Sequence, residues 1–173
     1  ILKNIPQFPE KRYFDNFNYD KSIPVSTTQF WIKAQESINK EKKIKFFKTH
    51  NIYGSINNNK FSNRHNSIGG VYIIRDPRNV ITSISNHFEM NKDEALNFMI
   101  NEKKFTYDYF KKNDYSDFQL ISSWEKNYKS WVNNSDFPVK LVKYEDLTNQ
   151  TFHIIKDLII FINKTCKINN DFD

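Results

Sequence analysis

Arg75 and Ser83 stand eight residues apart in the stretch VYIIRDPRNVITSISNHF, which runs from Val71 to Phe88. The first four residues are apolar or aromatic, as in a strand. Val80, Ile81, Ile84 and Phe88 then follow helical spacing. Asp76 reads as the helix N-cap, and Pro77 falls in the first turn, where a missing N–H does no harm. A helix amino end offers free backbone N–H groups and a partial positive charge, which together attract anions. The guanidinium of Arg75 has the planar fork that suits a phosphate. Ser83, in the second turn with Asn79 one turn before it, can offer a hydroxyl to the same oxygens. The plain alternative is that Arg75 pairs with a helix acid and Ser83 is an ordinary helix serine. The spacing alone leaves both readings open.

Two more polar clusters sit at the ends of apolar segments: Lys48-Thr49-His50 and Tyr144-Glu145-Asp146. The elements that must position them read as follows. Residues 1–25 carry three prolines and no period, so they are irregular. Residues 26–39 form a helix with Trp31, Ala34, Gln35 and Ile38 on one face. Residues 43–48, 71–75 and 139–143 are strands. Helices run from 78 to 90, from 91 to about 104, along a stripe of Leu120, Trp124, Tyr128 and Trp131, and from Thr148 with Phe152, Ile155, Leu158, Ile159 and Ile162 inward. Strands separated by helices require crossovers and a largely parallel sheet. The predicted fold is therefore α/β and three-layered, with its polar clusters on one sheet edge, where such sheets bind ligands. Glu145 and Asp146 are read as capping and loop-bonding acids.

The chain has 173 residues, 38% hydrophobic and 16% aromatic, with net charge +6. That suits one domain with a core and excludes disorder throughout. The positive balance favours an anionic partner. Lys, Asn, Ile and Phe are abundant everywhere, so charge alone is a poor guide. Cys166 is the single cysteine; it excludes an internal disulfide and suits a reducing, cytoplasmic setting. No apolar run reaches the ~20 residues of a membrane span. The chain opens on Ile1 and closes on INNDFD without a closing element, so it reads as an excerpt of one domain, 1–173. No His, Cys and acid set has metal-ligand spacing, so no metal is expected.

Four motifs carry a resemblance. The strand-Arg-Asp-Pro-Arg-Asn-Val segment with serine eight residues after the arginine resembles the 3′-phosphate-binding segment of sulfotransferases that use 3′-phosphoadenosine 5′-phosphosulfate (PAPS). FFKTH resembles that family's Lys-Thr-His strand end, about twenty-five residues upstream of the arginine. SWEKNYKSW resembles its Ser-Trp…Trp helix, and LVKYEDL its Tyr-Glu-Asp-Leu strand end. Together they cover roughly residues 43–162. The family's glycine-rich 5′-phosphosulfate loop and its C-terminal Arg-Lys-Gly segment do not occur in these residues.

The resemblance implies a P-loop nucleotide-binding type of α/β fold, incomplete at both ends, and transfer of a sulfuryl group from PAPS to a hydroxyl or amine of a small molecule or carbohydrate. It implies that Arg75 and Ser83 bind the 3′-phosphate and that Tyr144 contacts the adenine. It implies that His50 is the base that takes the acceptor proton, near neutral pH as imidazole can, and that Lys48 stabilises charge at the sulfuryl group. The excerpt by itself is expected to be inactive. Acceptor pockets in the family come from variable loops, here 51–70 and 104–117, which show no recognisable pattern. Oligomeric state is not legible. A P-loop kinase would need a Gly-x-x-x-x-Gly-Lys loop upstream. A nucleic-acid-binding module would explain the charge and the aromatics, but the aromatics fall at core spacing and no such motif is present. A non-catalytic relic is the remaining alternative.

Overall fold

The computed structural model describes residues 5–108, 110 and 113–167. The closing INNDFD stretch and part of the 104–117 loop lie outside them. Among the described residues six strands form three pairs. Ser55–Ile56 (β1) and Asn59–Lys60 (β2) make an antiparallel hairpin; Gly70–Ile74 (β3) runs parallel to Val139–Lys143 (β6); Phe105–Thr106 (β4) is antiparallel to Gln119–Leu120 (β5). The helices are Trp31–Asn39 (α1), Pro77–His87 (α2), Lys92–Ile100 (α3), Trp124–Val132 (α4), Tyr144–Asn149 (α5) and Thr151–Cys166 (α6). The architecture is α/β, with the parallel pair as its sheet and α4 and α6 packed against β6.

Local chemistry accounts for the element ends. Asp76 accepts from the Arg78 N–H and Pro77 opens α2, as the sequence suggests. Asn91 and Glu94 form a reciprocal capping box on α3. Ser123 caps α4 through the Lys126 N–H. Residues 26–30 are a 3₁₀ turn, and α1 follows with Trp31, Ala34 and Gln35 buried, the face expected from spacing.

Three expectations need correction. Residues 43–48 form no ladder strand: their only bridge joins Lys48 to Gln7, in parallel. The alternation of Ile44 and Phe46 is there, but no neighbour pairs along it, and both side chains are exposed. Tyr144 opens helix α5 instead of closing a strand, and α6 starts at Thr151. The α6 residues expected to face inward divide: Leu158 and Ile162 are partly buried, while Phe152 is 85% exposed and Ile155 and Ile159 are also exposed. Helical period defines a stripe, but only a covering element buries it.

The core is aromatic. Phe8, Phe14, Trp31, Ala34, Phe61 and Phe118 form one buried cluster. Trp31 stands edge-on to Phe61 with ring centroids 5.2 Å apart. The irregular N-terminal segment thus contributes two of the six core side chains, Phe8 and Phe14. No helix among the described residues is long and apolar enough to cross a membrane.

Trp31 is fully buried, and its indole N–H has no hydrogen-bond partner among the described residues. Trp31→Ala should lower stability by about 3–5 kcal/mol through lost packing and a cavity. Trp31→Phe keeps most of the ring contact and removes the unpartnered N–H, so it should cost distinctly less. Urea denaturation of both variants in the intact protein checks the order.

Candidate functional site

Parallel pairing sets Ile74 opposite Lys143. The next residues along the two strands, Arg75 and Tyr144, are therefore neighbours. The guanidinium of Arg75 lies over the Tyr144 ring, 4.8 Å from its centroid, a cation–π contact. Arg75 Nε is shielded from solvent and has no hydrogen-bond partner among the described residues. Arg75 also has no acidic partner among the described residues. Glu145 accepts from the Asp76 N–H at 3.3 Å and engages the side chain of Asn79. Its own backbone N–H foremost, with these bonds as lesser causes, holds the Glu145 carboxyl below its ordinary value. Glu145 therefore stitches the ends of β3 and β6, the bonding role expected of it.

The amino end of α2 is not open to an anion. The Asp76 carboxylate accepts from the Arg78 N–H at 2.9 Å and from the Arg78 guanidinium at 2.6 Å. The Asp76 carbonyl accepts from the N–H groups of Asn79 and Val80. Those bonds to Arg78 pull the Asp76 carboxyl down to about 2. Arg75 is half-buried beside it, and Ser83 is exposed further along α2.

The Lys48-Thr49-His50 segment is held by a different device. Lys48 exchanges backbone bonds with the N-terminal segment, its N–H donating to Pro6 O and its carbonyl accepting from Phe8 N–H. The side-chain oxygen of Gln119 accepts from the His50 N–H at 2.8 Å and from the Thr49 hydroxyl at 3.3 Å. Asn127 Nδ2 donates to His50 O at 3.2 Å and to Ile121 O at 2.7 Å. Tyr72, on β3, donates its hydroxyl to Asn127 Oδ1 at 3.0 Å. Asn51 accepts from Leu120 N–H through Oδ1 and from the Trp131 indole through its carbonyl. Gln119, Asn51 and Asn127 are all buried. They fix both backbone groups of His50 and tie it to the strand that ends in Arg75. None of the three was singled out from sequence, because an isolated amide carries no period; Asn127 lay inside the SWEKNYKSW motif, but its tryptophans carried that resemblance.

His50 opens onto a cavity of about 240 Å³ lined also by Gln7, Thr106, Tyr107, Asp108, Asp117 and Gln119. Thr106 and Gln119 are paired across β4 and β5, so both fall on the cavity side. The imidazole keeps exposed surface on the cavity side. Even so, the protein packed around it removes hydration and, with the Lys48 charge as a lesser cause, holds its pKa below the ordinary 6.5. Lys48 is exposed, with no ion pair among the described residues. A second cavity of about 420 Å³, between Ile32, Lys33 and Glu36 of α1 and Asn59 and Lys60 of β2, contains none of the candidate residues. Among the described residues no three His, Cys, Asp or Glu side chains are grouped to hold a metal.

The sequence model of the sulfotransferase domain matches residues 3–172. No curated protein matches the chain.

Asn127→Leu should destabilise the intact protein by about 1–3 kcal/mol, since it strips the donor from two carbonyls and the acceptor from Tyr72. Tyr72→Phe removes one bond of the three and should cost less. A separate check is the pH dependence of stability. A histidine with a lowered folded pKa binds protons more readily when unfolded, so stability falls as pH drops through 6.5. His50→Gln should remove that component of the denaturation midpoint and leave the carboxylate-driven losses at lower pH.

Proposed function

The chain belongs to the sulfotransferase family, and from that premise we propose that the protein containing it transfers a sulfuryl group from PAPS to a hydroxyl of a small acceptor. The observation that carries the donor reading is Arg75. Its Nε is a solvent-shielded donor with no partner among the described residues, on a guanidinium held over the Tyr144 ring. An unpaired buried donor is unfavourable, and a phosphate oxygen would complete it. The residues present thus fit the 3′-phosphate end of such a donor, with Ser83 as a hydroxyl contact and the open part of the Tyr144 ring as a surface for the adenine. The three glycines of the chain, Gly54, Gly69 and Gly70, lie in no loop suited to the 5′-phosphosulfate.

On this reading His50 is the base. The donor, when bound, supplies the sulfuryl group. His50 removes the acceptor's hydroxyl proton as the acceptor oxygen bonds to sulfur. The bond from sulfur to the 5′-phosphate oxygen breaks, and its electron pair leaves with the bisphosphate. Lys48 stabilises the charge that builds up on the transferring group. The depressed His50 pKa suits this role, because the imidazole stays neutral, and able to accept a proton, through the whole neutral range.

His50→Ala should lower single-turnover transfer of labelled sulfate by about 10²–10⁴-fold and leave the Kd for adenosine 3′,5′-bisphosphate nearly unchanged. Near-full turnover would remove His50 from the chemistry. In the native protein the acid limb of kcat/KM should have its midpoint below 6.5, on the side to which burial shifts this group. Arg75→Ala should weaken bisphosphate binding by roughly 2–3 kcal/mol, as for loss of a charge-assisted bond; unchanged calorimetric affinity would refute the donor site.

A further inference from the structure

Gln119 is bonded at one end of its carboxamide only. The residue is 1% exposed. Its side-chain oxygen accepts twice, from the His50 N–H at 2.8 Å and from the Thr49 hydroxyl at 3.3 Å. Thr49 in turn accepts from the Asn51 N–H at 3.0 Å. A backbone N–H only donates, so the bond from His50 decides which end of the amide is oxygen. The other end is Nε2, and it has no hydrogen-bond partner among the described residues. A buried carboxamide with both donor hydrogens unused is unfavourable, a state that most buried polar groups avoid. The backbone of Gln119 is fixed as well. It pairs with Thr106 across β4 and β5, and the next residue, Leu120, accepts from the Ile52 N–H at 2.8 Å and donates to Asn51 Oδ1 at 2.8 Å. The amide is thus held at its backbone and at its oxygen, and Gln119 borders the same cavity as His50.

We infer that Gln119 reads the acceptor atom of the transfer: its oxygen positions His50, and its nitrogen donates to the acceptor oxygen whose proton His50 removes. The inference rests on His50 being the base. Electron counting then separates two acceptors that the family resemblance admits alike, hydroxyl and amine. A hydroxyl oxygen has two lone pairs. One forms the bond to sulfur and the other accepts from Gln119, while the O–H bond breaks and its proton goes to the imidazole. The bond from sulfur to the 5′-phosphate oxygen breaks with its electron pair, and Gln119 keeps both of its hydrogens. Charge grows on the acceptor oxygen as its proton leaves, so the Gln119 bond is stronger in the transition state than in the ground state. An amine nitrogen has a single lone pair. That pair is used on sulfur, and Gln119 is left facing N–H groups with nothing to accept its hydrogens. A site that leaves its buried donor unpaired rejects the molecule that causes it.

The test uses the intact protein, sulfur-labelled PAPS and two matched pairs of acceptors, phenol with aniline and 2-naphthol with 2-naphthylamine. Aromatic amines are unprotonated at neutral pH, so both members of a pair arrive uncharged. Hydrolysis of PAPS, in which water is the hydroxyl acceptor, is followed in every assay, and the Kd for adenosine 3′,5′-bisphosphate is measured on the same preparations. Gln119→Glu keeps an oxygen for the His50 N–H and the Thr49 hydroxyl but puts a second oxygen where the nitrogen stood. That oxygen cannot donate to an alcohol and does accept from an amine. The expected result is a fall in kcat/KM for the hydroxyl member by about tenfold or more. The hydroxyl-to-amine ratio should move toward the amine by at least that factor, with bisphosphate affinity unchanged. Gln119→Met removes both ends of the amide and should lower the same ratio, which decides the matter if Gln119→Glu does not fold. An unchanged ratio in a folded variant, or an equal loss for both members, overturns Gln119 as the reader of the acceptor atom and leaves sulfuryl transfer standing. Native protein that binds the bisphosphate but transfers to no hydroxyl, water included, overturns this assignment and the base role of His50 together. Failure of the native protein to bind the bisphosphate overturns the donor reading and this one with it.

Discussion

Asn127 is the side chain on which the site depends. A carboxamide has two donor hydrogens and one acceptor oxygen, and here each is used by a different part of the chain. The hydrogens reach His50 O and Ile121 O, and the oxygen accepts from Tyr72 on β3. The residue is 9% exposed, so water does not compete for these bonds, and a missing partner would leave a buried polar group unsatisfied. The constraint runs both ways. Helix α4 is tied through Asn127 to β3 and to the His50 segment, which has no strand ladder to hold it and is fixed by side chains instead.

Around that anchor, the parallel register of β3 and β6 does the rest. A register is a discrete choice, and a slip by one residue would exchange faces along the whole strand. In the observed register, Arg75 follows β3 just where Tyr144 follows β6, which makes the cation–π contact and the Glu145–Asp76 bond two consequences of one pairing. Asp76 occupies the amino end of α2 with its own carboxylate and an Arg78 partner. Positive potential at this edge therefore comes from the Arg75 guanidinium, whose Nε lacks a partner among the described residues, and not from the free end of a helix.

The two parts of the site have opposite electrostatic character. The Arg75 end presents a fixed cation. The His50 end is crowded enough, and close enough to Lys48, that its imidazole favours the neutral form. Lys48 therefore raises positive potential and helps keep the adjacent histidine unprotonated. In the proposed transfer these are the states required, a cation for the phosphate and a free base for the hydroxyl. The fold carrying them is the α/β, P-loop nucleotide-binding type of the sulfotransferase domain.

Periodicity and cap chemistry are local properties, so the sequence by itself determined the α2 helix with its Asp76 cap and Pro77 start, the start of α3 at Asn91, the buried face of α1, and strands β3 and β6. Motif spacing likewise marked Lys48, His50, Arg75, Ser83 and Tyr144 for attention, and the strand–helix alternation put Arg75 and Tyr144 on one edge of the sheet. Only the tertiary structure decided the rest. Whether 43–48 becomes a strand depends on a neighbour that pairs with it, and whether Phe152 and Ile155 are buried depends on an element that covers them; neither condition is written in the segments themselves. The Gln119, Asn51 and Asn127 clamp could not be read in advance, because its bonds to His50 and its flanking residues span 69 and 77 positions and an amide shows its partner only once the chain has closed around it.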